Sequence, residues 1–254
     1  RTKNVYFRVN EAIRAIREQA MNHDLLEPIQ AWQIIDAAKQ FNNNTGLGVD
    51  LWNPVLLKNL SKEAAQGMAD LLNDIEDQVA WPIQALTNVI VLLGKPDGGS
   101  RPIALMPMIY RIWARIRKPY MVDWEAANKG PWDAAVRGSS ALRAAVLTLF
   151  ADELAAYNNE TIIKVLWDLE KFYDTIKIPI LVQRAAQLGY PVQLTALGVI
   201  MHAAPRMMRA YQHYIDADIP SNTIIAGCTQ SNQFARIMLH EILARVSSQV
   251  PSVG

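Results

Sequence analysis

Apolar residues recur along most of this chain at three- and four-residue spacing, the period of a helix with one buried face. Val9, Ile13, Ile16 and Ala20 mark such a stripe, with Arg14, Arg17 and Glu18 on the other faces, and predict a helix over 9–22. Ile29, Trp32, Ile35 and Ala38 predict a second, ending near Phe41, with Pro28 in its first turn, where a missing N–H costs nothing. Asn42–Asn44, Gly46 and Gly48 make a turn-rich loop, and Ser61 reads as the N-cap of a helix reaching Val79. Further helices are expected over 105–117, 140–157, 180–188, 192–211 and 231–247. Two stretches break this rhythm. Asn88–Leu93 is a short β-branched run closed by Gly94-Lys95-Pro96-Asp97-Gly98-Gly99, which reads as a strand and a flexible loop. Thr161–Trp167 reads as a buried strand that ends at Asp168. The fold class expected is α+β and helix-rich.

Composition narrows the class. With 51% hydrophobic and 19% charged residues among 254, the chain is neither disordered, coiled-coil nor collagen-like, and it is long enough for one large domain or two modest ones. A single cysteine, Cys228, excludes an internal disulfide and a thiolate zinc site, and points to a reducing, intracellular setting. The longest uncharged stretch, Ala185–Pro205, is interrupted by Gln187, Pro191, Gln193 and His202, so no membrane span is expected. No repeat or low-complexity tract is evident.

The formal charge of +1 hides a local asymmetry. From Arg101 to Lys118 there are five cations (Arg101, Arg111, Arg115, Arg117, Lys118) and no acid, interleaved with Tyr110 and Trp113. A solvated helix face mixes signs, whereas a one-signed run with aromatics favours a polyanion. Just before it, Lys95-Pro96-Asp97-Gly98-Gly99-Ser100-Arg101-Pro102-Ile103 puts an ammonium and a guanidinium around a glycine-rich turn, able to hold phosphate oxygens; the plainer reading is an exposed hairpin loop. Asp168, delivered by an apolar run, suits a hard-cation ligand or, more plainly, a turn cap. Gly227-Cys228-Thr229-Gln230-Ser231 opens an amphipathic helix, and alone is simply a capped helix. Cys228 has no positioned base and reads as a small buried residue. His202 and His213 are too isolated to be ligands, while His202, Arg206 and Arg209 could as well border a template as form a solvated helix face.

Taken in order, these segments resemble the reverse transcriptases of non-LTR retroelements and group II introns. Lys95–Ile103 is similar to the fingers motif K-P-x-x-x-x-R-P-I, Arg137-Gly138-Ser139-Ser140 to the next fingers segment, Asp168–Asp174 to polymerase motif A, and Gly227–Ser231 to motif B. Thr45–Asp50 and Leu56–Lys58 fall where the family has its first fingers elements, so the resemblance covers roughly residues 45–245. It implies the fingers and incomplete palm of a right-hand polymerase: 1–85 an N-terminal helical region and start of the fingers, 86–158 fingers, 159–254 partial palm. It implies RNA-directed DNA polymerase activity by a two-metal mechanism, with RNA template, DNA primer, deoxynucleoside triphosphates and two Mg²⁺ as partners, and a nuclear setting by resemblance alone. Asp168 matches the catalytic metal-binding carboxylate, with the Leu169 carbonyl assisting. Tyr173 matches the residue that stacks under the sugar and excludes a 2′-hydroxyl. Lys95 and Arg101 match the triphosphate cations, and Gln230 the motif B glutamine beside the nucleotide. Arg111, Arg115, Arg117, Lys118 and Arg137 are the expected nucleic-acid contacts.

Departures set the alternatives. Ser231, Asn232 and Gln233 replace the usual glycine and its continuation, and Lys171-Phe172-Tyr173 is bulky. No Asp-Asp pair occurs in the 254 residues, so the aromatic-x-Asp-Asp of motif C and the thumb are expected to lie outside this chain, which alone would be inactive. A catalytically dead nucleic-acid-binding scaffold is one alternative. Part of an RNA-dependent RNA polymerase is another, since Asp168 and Asp174 also fit D-x5-D.

Overall fold

A computed structural model describes residues 2–130, 132–134, 136, 138–164, 168–210, 213–216, 219–220 and 222–249. The fold is α+β and helix-rich, with one small mixed sheet. The N-terminal helices are α1 (Thr2–Met21), α2 (Ala31–Lys39), α3 (Pro54–Lys58) and α4 (Lys62–Gln78). Ser61 caps α4 as expected, its side chain accepting from the Ala64 N–H at 3.2 Å. Pro28 stands before α2 rather than in its first turn, because Gln30 is the N-cap and its N–H donates to Gln33 Oε1 at 2.8 Å.

The strands are β1 (Asn88–Gly94), β2 (Ser100–Leu105), β3 (Arg206–Ala210) and β4 (His213–Asp216), in the order β2-β1-β3-β4. β1 and β2 form a hairpin closed through Lys95–Gly99, with Gly98 at φ 82° and the Lys95 N–H donating to Gly99 O at 2.7 Å. The segment expected to be a loop is thus partly strand. Pro102 is tolerated there because β2 is an edge. β3 runs parallel to β1 with Ile90 opposite Met208, and antiparallel to β4.

Two expected elements differ. The helix over 192–211 stops at Ala203, as α10 (Val192–Ala203), because Pro205 pushes Ala204 to an extended ψ of 151°, and the chain continues as β3. The strand over 161–167 does not form at 161–164, which are exposed and irregular; β1 is already paired on both sides, and Lys164 pairs instead with Asp152. Residues 165–167 lie outside the described residues.

The helix expected over 105–117 begins only after Pro107, as α5 (Met108–Ile116), and is followed by α6 (Lys118–Asn128). Trp81, Tyr110 and Trp113 pack edge-on or tilted at centroid distances of 5.4–5.6 Å in the core. The remaining helices are α7 (Ala141–Tyr157), α8 (Phe172–Thr175), α9 (Ile178–Gln187) and α11 (Ser231–Gln249). Ser140 caps α7, yet α7 buries only Ala155 and exposes Leu142, Leu149 and Phe150. Among the described residues no helix is long and apolar enough to cross a membrane.

Candidate nucleotide and nucleic-acid site

Three segments far apart in sequence converge on one cavity of about 360 Å³. Ile90, Pro102 and Ala104 of the β1–β2 hairpin form one wall, Leu169 and Lys171–Asp174 a second, and Arg206 with Ile224–Ala226 a third. The second and third walls are locked together. The Thr223 N–H donates to Ile176 O at 2.9 Å, the Ile224 N–H to Tyr173 O at 3.0 Å, and Thr223 Oγ1 to Asp174 Oδ1 at 3.1 Å. Lys171 enters α8 in a left-handed conformation, φ 48°. From inside, the fully buried His202 accepts the Ile225 N–H at Nδ1, 2.7 Å, which assigns the proton to Nε2. Burial, reinforced by the nearby charge of Arg206, holds its pKa down at about 3, so it is a neutral clamp.

The motif A residues border this cavity unevenly. Tyr173 lines it, half-buried, and its hydroxyl donates to Asn232 Oδ1 at 3.3 Å. Asp168 is exposed on the residue before the Leu169 wall. The Mg²⁺ ions implied by the resemblance do not fit what is assembled here. Among the described residues no group of three or more His, Cys, Asp or Glu side chains could hold a metal, and Asp168 with the Leu169 carbonyl would be only part of a donor set.

Lys95 and Arg101 are both exposed on the hairpin. Side chains alternate along a strand. Since Pro102 and Ala104 face the cavity, Arg101 points to the opposite face of the sheet, and the structure does not bring it into this cavity.

That opposite side leads to a second cavity of about 260 Å³, lined by Ile103–Met106, Phe41, Tyr110, Arg111, Arg115 and Ala226–Thr229. The guanidinium carbons of Arg115 and Arg111 lie 3.9 and 4.9 Å from the Phe41 ring centroid. Arg111 Nη1 donates to Gly46 O at 2.8 Å and Arg115 Nη1 to Gln40 Oε1 at 3.2 Å. Burial lowers the pKa of both, and for Arg111 the charge of Arg115 adds to this while Asp50 opposes it. Asp50 in turn accepts the Ile109 N–H at 3.1 Å near the start of α5, and burial raises its pKa. Two stacked cations at a cavity mouth can hold a phosphate backbone.

Two expected contacts require correction. Arg117 is not a surface cation. Its guanidinium is buried against Glu76, with Nε donating to Glu76 Oε1 at 2.6 Å and Nη2 to Glu76 Oε2 and to Glu27 O. Trp113 Nε1 donates to the same Oε1 at 2.6 Å, so the fold consumes this charge. Gln230 is likewise buried and saturated. Its Oε1 accepts from Tyr110 Oη at 2.8 Å, and its Nε2 donates to Leu194 O at 2.9 Å and towards Tyr190 Oη at 3.4 Å. It braces the turn from behind and offers nothing to a nucleotide. The Cys228 sulfur lies 3.1 Å from Tyr110 Oη, and burial raises both pKa values, as suits a packing thiol. Lys118 is exposed, and Arg137 lies outside the described residues.

Arg206, open in the sequence between a template-facing surface and a solvated helix face, lines the first cavity. Its signal was the preceding Pro205, which turns the helix into a strand. No protein-family model matches the chain, and no curated protein matches it.

Proposed function

We propose that this chain is the fingers and partial palm of a reverse transcriptase, and that its two cavities receive the incoming deoxynucleoside triphosphate and the nucleic acid. The observation that carries this reading is that Pro102 of the fingers-like segment and Leu169 and Lys171–Asp174 of the motif A-like segment line one cavity, whose third wall, Ile224–Ala226, leads directly into the motif B-like turn. In this reading Tyr173 packs against the sugar, and the Phe41-stacked Arg111 and Arg115, with exposed Lys118, hold the template backbone. Lys95 and Arg101 serve from the outer hairpin face. Asp168 would contribute one carboxylate to the Mg²⁺ centre of the complete polymerase. The other donors are not among the described residues.

That isolation of Asp168 favours a second reading, a polymerase-derived scaffold that binds nucleic acid without chemistry. Fluorescence anisotropy of a DNA primer on an RNA template separates the two. For the polymerase reading, the deoxynucleotide complementary to the template tightens the complex and mismatched ones do not. Duplex binding indifferent to nucleotide favours the scaffold, and no duplex binding overturns both. In the parent polymerase, Asp168→Asn should abolish primer extension, and intact extension would remove the motif A assignment.

A further inference from the structure

The cavity bordered by Tyr173 has three charged side chains on its walls: Lys171, Asp174 and Arg206. Arg206 opens β3 opposite Asn88, two residues before Met208, which pairs with Ile90. Strand alternation therefore sets it on the same face as Ile90 and Ala104, whereas Arg101 is on the other. Its Nε and Nη2 are enclosed by protein and have no hydrogen-bond acceptor among the described residues. The partly buried guanidinium of Arg236 illustrates the usual solution, bonding Asp133 and Glu125 at 2.5 Å each. Asp174 is the carboxylate whose charge acts on Arg206, but no ion pair joins them, and Asp174 Oδ1 already accepts from Thr223. Lys171 is solvent-exposed, with only Glu170 near it at 3.6 Å.

A guanidinium with two desolvated donors and no acceptor is costly unless an oxyanion completes it, and the fork of Arg matches two oxygens of one phosphate. Lys171 and Arg206 stand against Asp174 on the walls, with Glu170 beside Lys171 at 3.6 Å, and the Arg206 fork matches two oxygens of one oxyanion. We propose that Arg206 holds the phosphate end of the ligand in this cavity, with Lys171 as the second cation, so that the diphosphate part of a nucleoside triphosphate lies on β3 rather than on the hairpin cations. The nucleoside part of this assignment rests on the reverse-transcriptase reading; the phosphate part does not.

Isothermal titration of the whole chain with inorganic pyrophosphate, and separately with dTTP, tests both. Wild type should bind pyrophosphate, Arg206→Gln should weaken it by about tenfold or more, and Arg206→Lys should fall between, since an ammonium keeps the charge without the fork. Neither variant should lower the thermal midpoint, because the Nε and Nη2 donors removed have no acceptor among the described residues. No pyrophosphate binding by wild type, or equal affinity in Arg206→Gln, overturns the proposal. So does a matching loss of folded structure in Arg206→Gln, Arg206→Lys and Asp174→Asn, which would make Arg206 and Asp174 a structural pair. Arg206-dependent pyrophosphate binding with dTTP bound no more tightly retains the phosphate site and overturns the nucleotide assignment.

Discussion

Arg117 and Arg206 are both drawn out of water by this fold, in two regions that treat a cation in opposite ways. Around Trp113 the fold supplies the counter-charge: Glu76 accepts from Nε and Nη2 of the Arg117 guanidinium and from the Trp113 indole as well. Beside Tyr173 it does not, and Arg206 keeps two enclosed donors without an acceptor among the described residues. Burial alone therefore does not tell a structural cation from a functional one. What separates them is whether the protein completes the hydrogen bonds itself. The first arrangement rigidifies a core, and the second leaves donors open to water or to a bound anion.

The largest effect expected is on the matched side. Glu76→Gln leaves Arg117 buried without its counter-ion and should cost about 3–5 kcal/mol in urea unfolding. A loss under 1 kcal/mol, roughly that of a surface pair, would mean the pair is not buried in solution. Next is Gly198→Ala on α10, whose added Cβ would lie 2.2 Å from Gln230 Oε1 and 3.0 Å from Phe234 Cζ. Overpacking should outweigh the better helix propensity of alanine, for a net loss of about 1–2 kcal/mol by the same measurement. An unchanged or raised stability would show that Gln230 is free to move aside.

His202 packs on Phe234 beside the second of these regions, and its pKa is lowered first by burial and further by Arg206. Its folded-state value of about 3 lies below the ordinary 6.5, so the unfolded chain takes up a proton first. The contribution is therefore fully present above pH 6.5 and is lost progressively as pH falls towards 3. Unfolding free energy measured against pH should fall across that window in wild type, and less steeply in His202→Gln. Identical slopes would place His202 in water. The smallest effect is expected for Arg206→Gln, whose stability should lie within about 0.5 kcal/mol of wild type or above it. A loss comparable to that of Glu76→Gln would erase the distinction between the two arginines.

Much of the helical framework was legible in the chain, for local reasons. Ser61 caps α4 as expected and Ser140 caps α7 where a helix was expected to start, whereas the stripe of α2 is rotated from the expected one: Ile34, Ala37 and Ala38 are buried and Trp32 is exposed. The sheet was less so. β3 was hidden because Met207 and Met208 prolong the apolar run of α10, and only the Ala204 geometry before Pro205 marks the change. β2 was hidden by a polar turn and an internal proline that an edge strand accepts. The basic run from Arg101 to Lys118 looked uniform, yet Arg117 turns inward to an acid 41 residues upstream, a pairing that charge counting along the chain does not reveal. Pro102 and the 169–174 stretch do line one cavity, but nothing in the chain indicated that Gln230 would be spent on Tyr110 and Leu194, nor that Arg206 would reach that cavity from β3.

The most direct test of a nucleotide cavity at this junction is photo-crosslinking with an azido-deoxyadenosine triphosphate, followed by peptide mapping. The structure predicts label on Leu169–Asp174 and Ile224–Ala226, competed by unlabelled nucleotide and reduced in Arg206→Gln. Competed label confined to the outer face of the hairpin around Arg101, with none on those two segments, would contradict it.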